Sequence, residues 1–468
     1  MKKIILSGFF FCLSILFIQG QTLNTSEVAK LKTFLAQESA EEGKRNYEQL
    51  AIADLETVDW LTVGGLTWNA AGHLEVMLWA SKNLSGDLDL SNFTELKKIH
   101  CQYNSLQTVN VAGCANLNYM DCYNNNLKTV DITTNANMDS FCCRYNELKE
   151  IDLTKNPKLI YFCGSGNQFE EVDISQNPEL VNFYCANNQL KRFDSSNNPK
   201  LERLYLRTNQ LTSLDFSKNP RLNYVTCYEN KLETLNLSGC SALEYITCRD
   251  NNLTVLDASD SPNLTTLTCQ NNQLKVLKLN TTKIETLFCE DNELTFSTLP
   301  LLGLSSNDYL YSPQAPLAVS HPSDVVDLRS EYLIDGVTSQ FIWTDKNGAS
   351  VTPLKDDKGL FVFDKSYVGN TLVGKIKNSR FPELTVEYHV TLSAPVANNA
   401  LEEAVSVYSN AGRLYVKTEK PMTAKIYSIT GALVQQVALQ GGETNLSLSR
   451  GLYLVSLSNG TVRKVIIR

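Results

Sequence analysis

Leu117-Asn118-Tyr119-Met120-Asp121-Cys122-Tyr123-Asn124-Asn125-Asn126-Leu127-Lys128-Thr129-Val130-Asp131-Ile132-Thr133-Thr134-Asn135-Ala136-Asn137 is one copy of a unit that recurs through the middle of the chain. Its marker is Asn125, which stands in a series with Asn83, Asn104, Asn146, Asn167, Asn188, Asn209, Asn230, Asn251, Asn272 and Asn292; every step is 21 residues except the last, which is 20. A short fixed period marks a solenoid, because each unit is too small to bury its own apolar face and must stack on its neighbours. Alternation around Met120 predicts a short strand with Met120 and Cys122 inward and Tyr119, Asp121 and Tyr123 outward. Successive strands then pair as a parallel sheet. The asparagine amide offers donors and an acceptor to backbone groups stranded where the chain leaves the strand. Twenty-one residues leave no room for a helix on the return leg, so Ile151–Thr154 and its equivalents read as a short extended stretch and a turn.

The pattern Leu-x-x-Leu-x-(Leu/Cys)-x-x-Asn resembles the leucine-rich repeat. The last inward strand position is usually cysteine: Cys101, Cys122, Cys143, Cys185, Cys227, Cys248, Cys269 and Cys289, with Gly164 and Leu206 as exceptions. That feature resembles the cysteine-ladder branch of the bacterial internalins and similar surface proteins, over roughly residues 74–300. The resemblance implies a repeat fold and a surface adhesin. Cysteine here reads as a small apolar residue, buried and unbridged. Cys114 and Cys240 stand where other repeats have Asn156, Asn177, Asn198 and Asn219, and read as substitutes buried in the turn. Cys142 and Cys163 differ, because they face outward on adjacent strands about 4.8 Å apart. They are a candidate disulfide, although parallel strands hold Cβ atoms wider than the bond prefers.

Export is the expectation that makes a disulfide relevant. Lys2-Lys3, an apolar run from Ile4 to Ile18, and Gly20 before Gln21 read as a signal peptide over 1–20. No other segment reads as a transmembrane span. The net charge of −8, or −10 without Lys2 and Lys3, argues against nucleic-acid binding. With 468 residues the chain exceeds one core. Residues 21–73 read as a helical and capping segment, with Leu31, Phe34 and Leu35 on one helix face and Trp60 and Trp68 covering the first repeat. The solenoid spans 74–300, and a proline-punctuated linker spans 301–316. Alternating strands at Phe341–Trp343, Leu360–Phe363 and Val386–Val390 then predict a β-sandwich over 317–395, with Trp343 at its centre. This domain resembles the immunoglobulin-like modules of bacterial surface proteins. The fold class is therefore mainly β with little helix.

Residues 396–468 carry Tyr427-x-x-x-Gly431, Gly451-Leu452-Tyr453 and a basic-apolar end, Arg463-Lys464-Val465-Ile466-Ile467-Arg468. They resemble the sorting domain of the type IX secretion system of Bacteroidetes, although Ser409-Asn410-Ala411 stands where many members carry Asn-Pro. The resemblance implies a small β-sandwich, a partner in the type IX secretion machinery, and display at the outer-membrane surface or release from the cell.

Function is then sought on the repeat sheet, which the fold would make concave. Its outward strand positions hold Tyr119, Tyr123, Tyr161, Tyr184, Tyr205, Tyr224, Tyr228 and Tyr245, far more tyrosine than 20 in 468 residues would supply by chance. Arg144, Arg203, Arg207 and Arg249 share the same face. Tyrosine and arginine give large contact area with polar handles and dominate binding hot spots. The expected ligand is a protein or glycan of a host or neighbouring cell; a structural role in the cell's own surface layer is the alternative. Asp131, Asp152, Asp173, Asp194, Asp215 and Asp257 form a second series, each with Thr or Ser two places later, which reads as turn chemistry, with calcium binding as the alternative. Catalysis, cofactors and metals find no motif. His73, His100, His321 and His389 are scattered, and the row His100, Asp121, Cys142 would set the thiol about 9.6 Å from the imidazole, two strand spacings away.

Overall fold

A computed structural model describes residues 22–321, 324–393, 406–410, 413–418, 420–428, 433–458 and 462–467. The stretch read as a signal peptide therefore lies outside the described residues, as do Gly431, Ala411 and Arg468 of the C-terminal pattern.

The repeats build one 13-stranded sheet. It opens with Leu66–Trp68 antiparallel to Leu74–Leu78, and every later strand is parallel to its neighbour and in register, as in Tyr119↔Ser140↔Tyr161 and Met120↔Phe141↔Phe162. Inward residues such as Leu117, Met120, Cys122, Leu127 and Ile132 are fully buried. Burying each large apolar side chain contributes roughly 1.5–3 kcal/mol, and the stacked coils supply each other's cover. Return legs are extended or turn. Among the described residues the α-helices are Thr25–Leu35 and Asn46–Gln49, both ahead of the repeats.

The asparagines hold the coils together. Asn167 Nδ2 donates to the Cys143 and Gly164 carbonyls at 3.0 and 3.1 Å, while its Oδ1 accepts from Leu148 N–H at 3.0 Å. Asn125, Asn146, Asn209 and Asn251 repeat the arrangement. A second ladder runs along the far turn, where Asn156 Nδ2 reaches the Ile132 and Asn135 carbonyls. Cys114 and Cys240 do substitute there, each thiol donating to one carbonyl, Leu90 O at 3.0 Å and Phe216 O at 3.4 Å.

Two ends depart from the sequence reading. Asn83 is exposed and lies one residue out of the ladder, because the first coil is a residue longer: Asn104 reaches back to Trp79 O and to the N–H groups of Lys82 and Leu84. Lys82 thus holds the ladder position, and a fully buried Trp79 fills the place that cysteine takes later. At the other end the sheet gains Tyr309–Leu310, inside the stretch read as a linker. Gln314 finishes the ladder there, with Nε2 on the Cys289 and Tyr311 carbonyls and Oε1 on Leu294 N–H.

The eight ladder cysteines are buried and free. Gly164 breaks the row for lack of space, since a Cβ there would stand 2.7 Å from the Phe162 ring and 2.9 Å from Phe169. The N-terminal segment buries Leu31, Phe34, Leu35 and Trp60 as expected, and Trp68 Nε1 donates to the Trp60 carbonyl at 3.1 Å.

Beyond the repeats, a four-stranded and a three-stranded sheet form the sandwich. Trp343 bridges them, its ring 5.2 Å from Phe361 and 4.9 Å from Phe363. The sandwich is joined to the last coil. Buried Glu331 accepts from Thr295 Oγ1 at 2.9 Å, from Ser297 N–H at 3.2 Å and from the Ser297 hydroxyl, and Phe381 packs against Phe296 and Tyr311.

The C-terminal strands form a separate small sandwich. Three strands (Ser406–Asn410, Arg413–Thr418, Gly442–Ser447) and four strands (Met422–Ser428, Leu433–Leu439, Gly451–Leu457, Val462–Ile467) enclose Leu414, Val416, Ile426, Tyr453, Val455 and Ile467.

Candidate functional site

Because a three-residue strand presents its two ends on one side, each coil puts its outward residues on the sheet face in columns one strand spacing apart. Tyr119, Tyr123, Tyr161, Tyr184, Tyr205, Tyr224, Tyr228 and Tyr245 all lie there, half-buried, with Arg144, Arg207 and Arg249; Arg203 is exposed. Five of the tyrosines make an unbroken run. Ring centroids are 5.4 Å apart for Tyr161–Tyr184, 4.5 Å for Tyr184–Tyr205, 5.3 Å for Tyr205–Tyr224 and 4.4 Å for Tyr224–Tyr245, whose planes differ by 4°. Tyr161–Tyr184 and Tyr184–Tyr205 meet edge-to-face, whereas Tyr205–Tyr224 and Tyr224–Tyr245 stack. Burial raises the pKa of Tyr184, Tyr205 and Tyr224 above the usual phenol value, which keeps those hydroxyls protonated.

Tyr119 and Tyr123 sit apart from that run. Tyr119 stacks on His100 at 4.7 Å, and Tyr123 meets Tyr103 edge-on at 4.6 Å. Three of the four arginines lie over rings: Arg144 over Tyr123 at 4.8 Å and Tyr145 at 5.2 Å, Arg207 over Tyr228 at 5.6 Å, and Arg249 over Tyr228 at 4.1 Å. Arg249 is further tied to Glu229 and Asp250.

Tyr103 and Tyr145 are additions that the strand alternation could not supply. Both occupy the place just before a ladder asparagine, with φ of 56° and 51°, and both are about half exposed. Other coils use Asn124, Gly166, Asn187, Thr208, Glu229, Asp250, Asn271 or Asp291 at that left-handed position. A bulky aromatic there costs roughly 1–2 kcal/mol, and such strain concentrates at functional sites. The signal available in the sequence was an aromatic in a column whose other members are Asn, Asp, Gly, Thr and Glu.

His100, Asp121, Cys142 and Cys163 are partners across four successive strands. Asp121 is nearly buried, and that burial raises its pKa above the usual carboxylate value against the pull of the Tyr123 N–H, His100, Arg144 and the Cys142 thiol. The other aspartate series is spent locally: Asp131 and Asp152 accept from the backbone N–H and hydroxyl of Thr133 and Thr154, and Asp173, Asp194, Asp215 and Asp257 accept from the N–H of Ser175, Ser196, Ser217 and Ser259. His73 pairs with Glu27 and His389 with Glu387.

Residues 406–468 match the family model described as the secretion system C-terminal sorting domain. The protein is exported, to the cell surface or the extracellular space. No helix among its described residues is long and apolar enough to cross a membrane. No curated protein sequence matches the chain. Among solved structures, it is similar to the functional domain of InlJ from Listeria monocytogenes, described as including a cysteine ladder, with 20% identity over 67% of this chain and 92% of that one and a TM-score of 0.35. An internalin, inlF, from Listeria monocytogenes gives 14% identity, 57% and 90% coverage and a TM-score of 0.34. YopM from Yersinia enterocolitica WA-314 gives 23% identity, 47% coverage of each chain and a TM-score of 0.39. The leucine-rich-repeat fold of this exported protein rests on the register and ladders described above.

Proposed function

We propose that this protein is a surface-displayed adhesin that holds a protein or glycan of a host or neighbouring cell on its tyrosine- and arginine-rich sheet face, and that it is a binding protein rather than an enzyme. The observation that carries this reading is the run from Tyr161 to Tyr245, five rings in contact on a face whose opposite side already seals the core. A sheet gains stability from aromatic pairs; Tyr103 and Tyr145, each about half exposed, add ring surface that a ligand can reach. The half-buried run combines apolar ring surface with phenol hydroxyls, which suits a partner that presents hydrogen-bond groups.

The test compares the exported chain with a Tyr184→Ala, Tyr205→Ala, Tyr224→Ala variant on matrix proteins, glycans and the cell's own envelope. Saturable binding to a foreign ligand, lost in a variant that stays folded, supports the adhesin reading. Binding to the cell's own envelope alone favours a scaffold of the surface layer, and binding untouched by the triple substitution removes the sheet face from consideration.

A further inference from the structure

Ten of the twelve described cysteines lie inside the coils, with their thiols in the core or the turn. Cys142 and Cys163 are the two on the sheet face, and they are register partners on adjacent strands. Cys142 is half-buried and meets solvent; Cys163 is 3% exposed. Cys142 stands opposite Cys163 across the strand pair, Tyr161 lies two residues before Cys163 on the same strand, and Arg144 adds positive charge. On the other flank Asp121 is the register partner of Cys142, one strand away.

These contacts favour one thiolate in the pair and oppose a second. The Cys142 thiol, followed by Tyr161, Arg144 and Ser165, lowers the Cys163 pKa against burial, while the neighbouring Cys163 and burial hold the Cys142 proton on. The ladder thiols next to them have no such help, and burial raises Cys143 and Cys185.

We propose that Cys142 and Cys163 are a redox-active dithiol which closes to a disulfide by exchange with an external disulfide, Asp121 serving as proton acceptor. Cys142 Sγ attacks one sulfur of the oxidant as its proton passes to Asp121; the oxidant's S–S bond breaks and a thiolate leaves. The Cys163 thiolate then attacks the Cys142 sulfur of the mixed disulfide and expels the second thiolate. One leaving thiolate takes the proton from Asp121. The pair is oxidised by two electrons, and the external disulfide is reduced by two electrons to one thiol and one thiolate, which takes its proton from solvent. The inference is independent of what the tyrosine face binds.

The reduced exported chain, treated with oxidised glutathione, then alkylated and mapped by mass spectrometry, tests it. The wild type is expected to lose two hydrogens, retain no glutathione and yield one linked peptide joining Cys142 to Cys163. Cys163→Ser is expected to retain glutathione on Cys142. Asp121→Asn is expected to reach the wild-type product about tenfold more slowly or worse. A folded wild type that keeps both thiols, or that retains glutathione, overturns the proposal. So does a folded Cys163→Ser chain that takes up none; if that variant does not fold, the wild-type peptide map decides.

Discussion

Gln314 donates to the carbonyl of Cys289 at 2.9 Å, the same carbonyl that Asn292 Nδ2 reaches at 3.1 Å. A longer amide, arriving after Pro313, thereby does for the last coil what asparagine does for the others. Gln314→Ala leaves the Leu294 N–H unpaired in a buried place, at a cost of about 1–3 kcal/mol. Hydrogen exchange should show early opening at Leu294 and Tyr309 with interior coils unchanged. Uniform protection would mean that the last coil is held by other contacts.

Asn83 and Asn167 share a sequence register but not a role. Asn167→Ala strips three bonds from a buried site and should lower stability by about 3 kcal/mol or more, whereas Asn83→Ala, on the surface at a left-handed φ of 52°, should cost no more than about 1 kcal/mol. Urea unfolding of the two variants checks the contrast, and equal losses would contradict the placement of Lys82 in the ladder.

Tyr145 holds a left-handed backbone that asparagine tolerates better. Tyr145→Asn should therefore stabilise the chain, by up to about 1 kcal/mol, while removing a ring beside Arg144 and weakening ligand capture. Calorimetry and a binding titration on the same variant separate the two effects. A destabilised variant would show that the ring's packing outweighs the strain.

Acid should act on the two aspartate environments with opposite sign. Hydrogen bonds from Thr154, Ser217 and Ser259 lower the folded pKa of Asp152, Asp215 and Asp257 below the ordinary 3.8. Their contribution is present above that value and lost as pH falls through the lower folded values, so replacing all three with alanine should cost least in acid. Burial raises Asp121, so its contribution is present below the ordinary value and lost as pH rises through the raised one. Asp121→Asn should gain on the wild type at neutral pH and lose that advantage by about pH 3. Denaturant melts across this range measure both.

Much of the fold was legible because a 21-residue period leaves few geometries open. Met120 inward and Tyr119 outward follow from alternation, and a return leg too short for a helix follows from length. The ends were not legible. Lys82 gives no side-chain sign of a ladder position, and Gln314 lies 22 residues past Asn292 behind a run of prolines that reads as a linker. The face was legible in its strand positions but not at Tyr103 and Tyr145, whose direction depends on a positive φ that a two-residue alternation does not describe. Nor does the joint at Glu331 show in sequence, since a lone glutamate between two domains looks like any solvated charge.

Each ladder asparagine reaches back across a single coil and no further: Asn167 touches Cys143, Gly164 and Leu148, and nothing earlier. Excising one whole unit would bring it against Cys122 O and Leu127 N–H, chemically the same partners. The face is thus a counted length, and slippage or unequal crossing-over between the repeated stretches of its gene can lengthen or shorten it by about 4.8 Å at a time while the asparagine ladder keeps chemically equivalent partners.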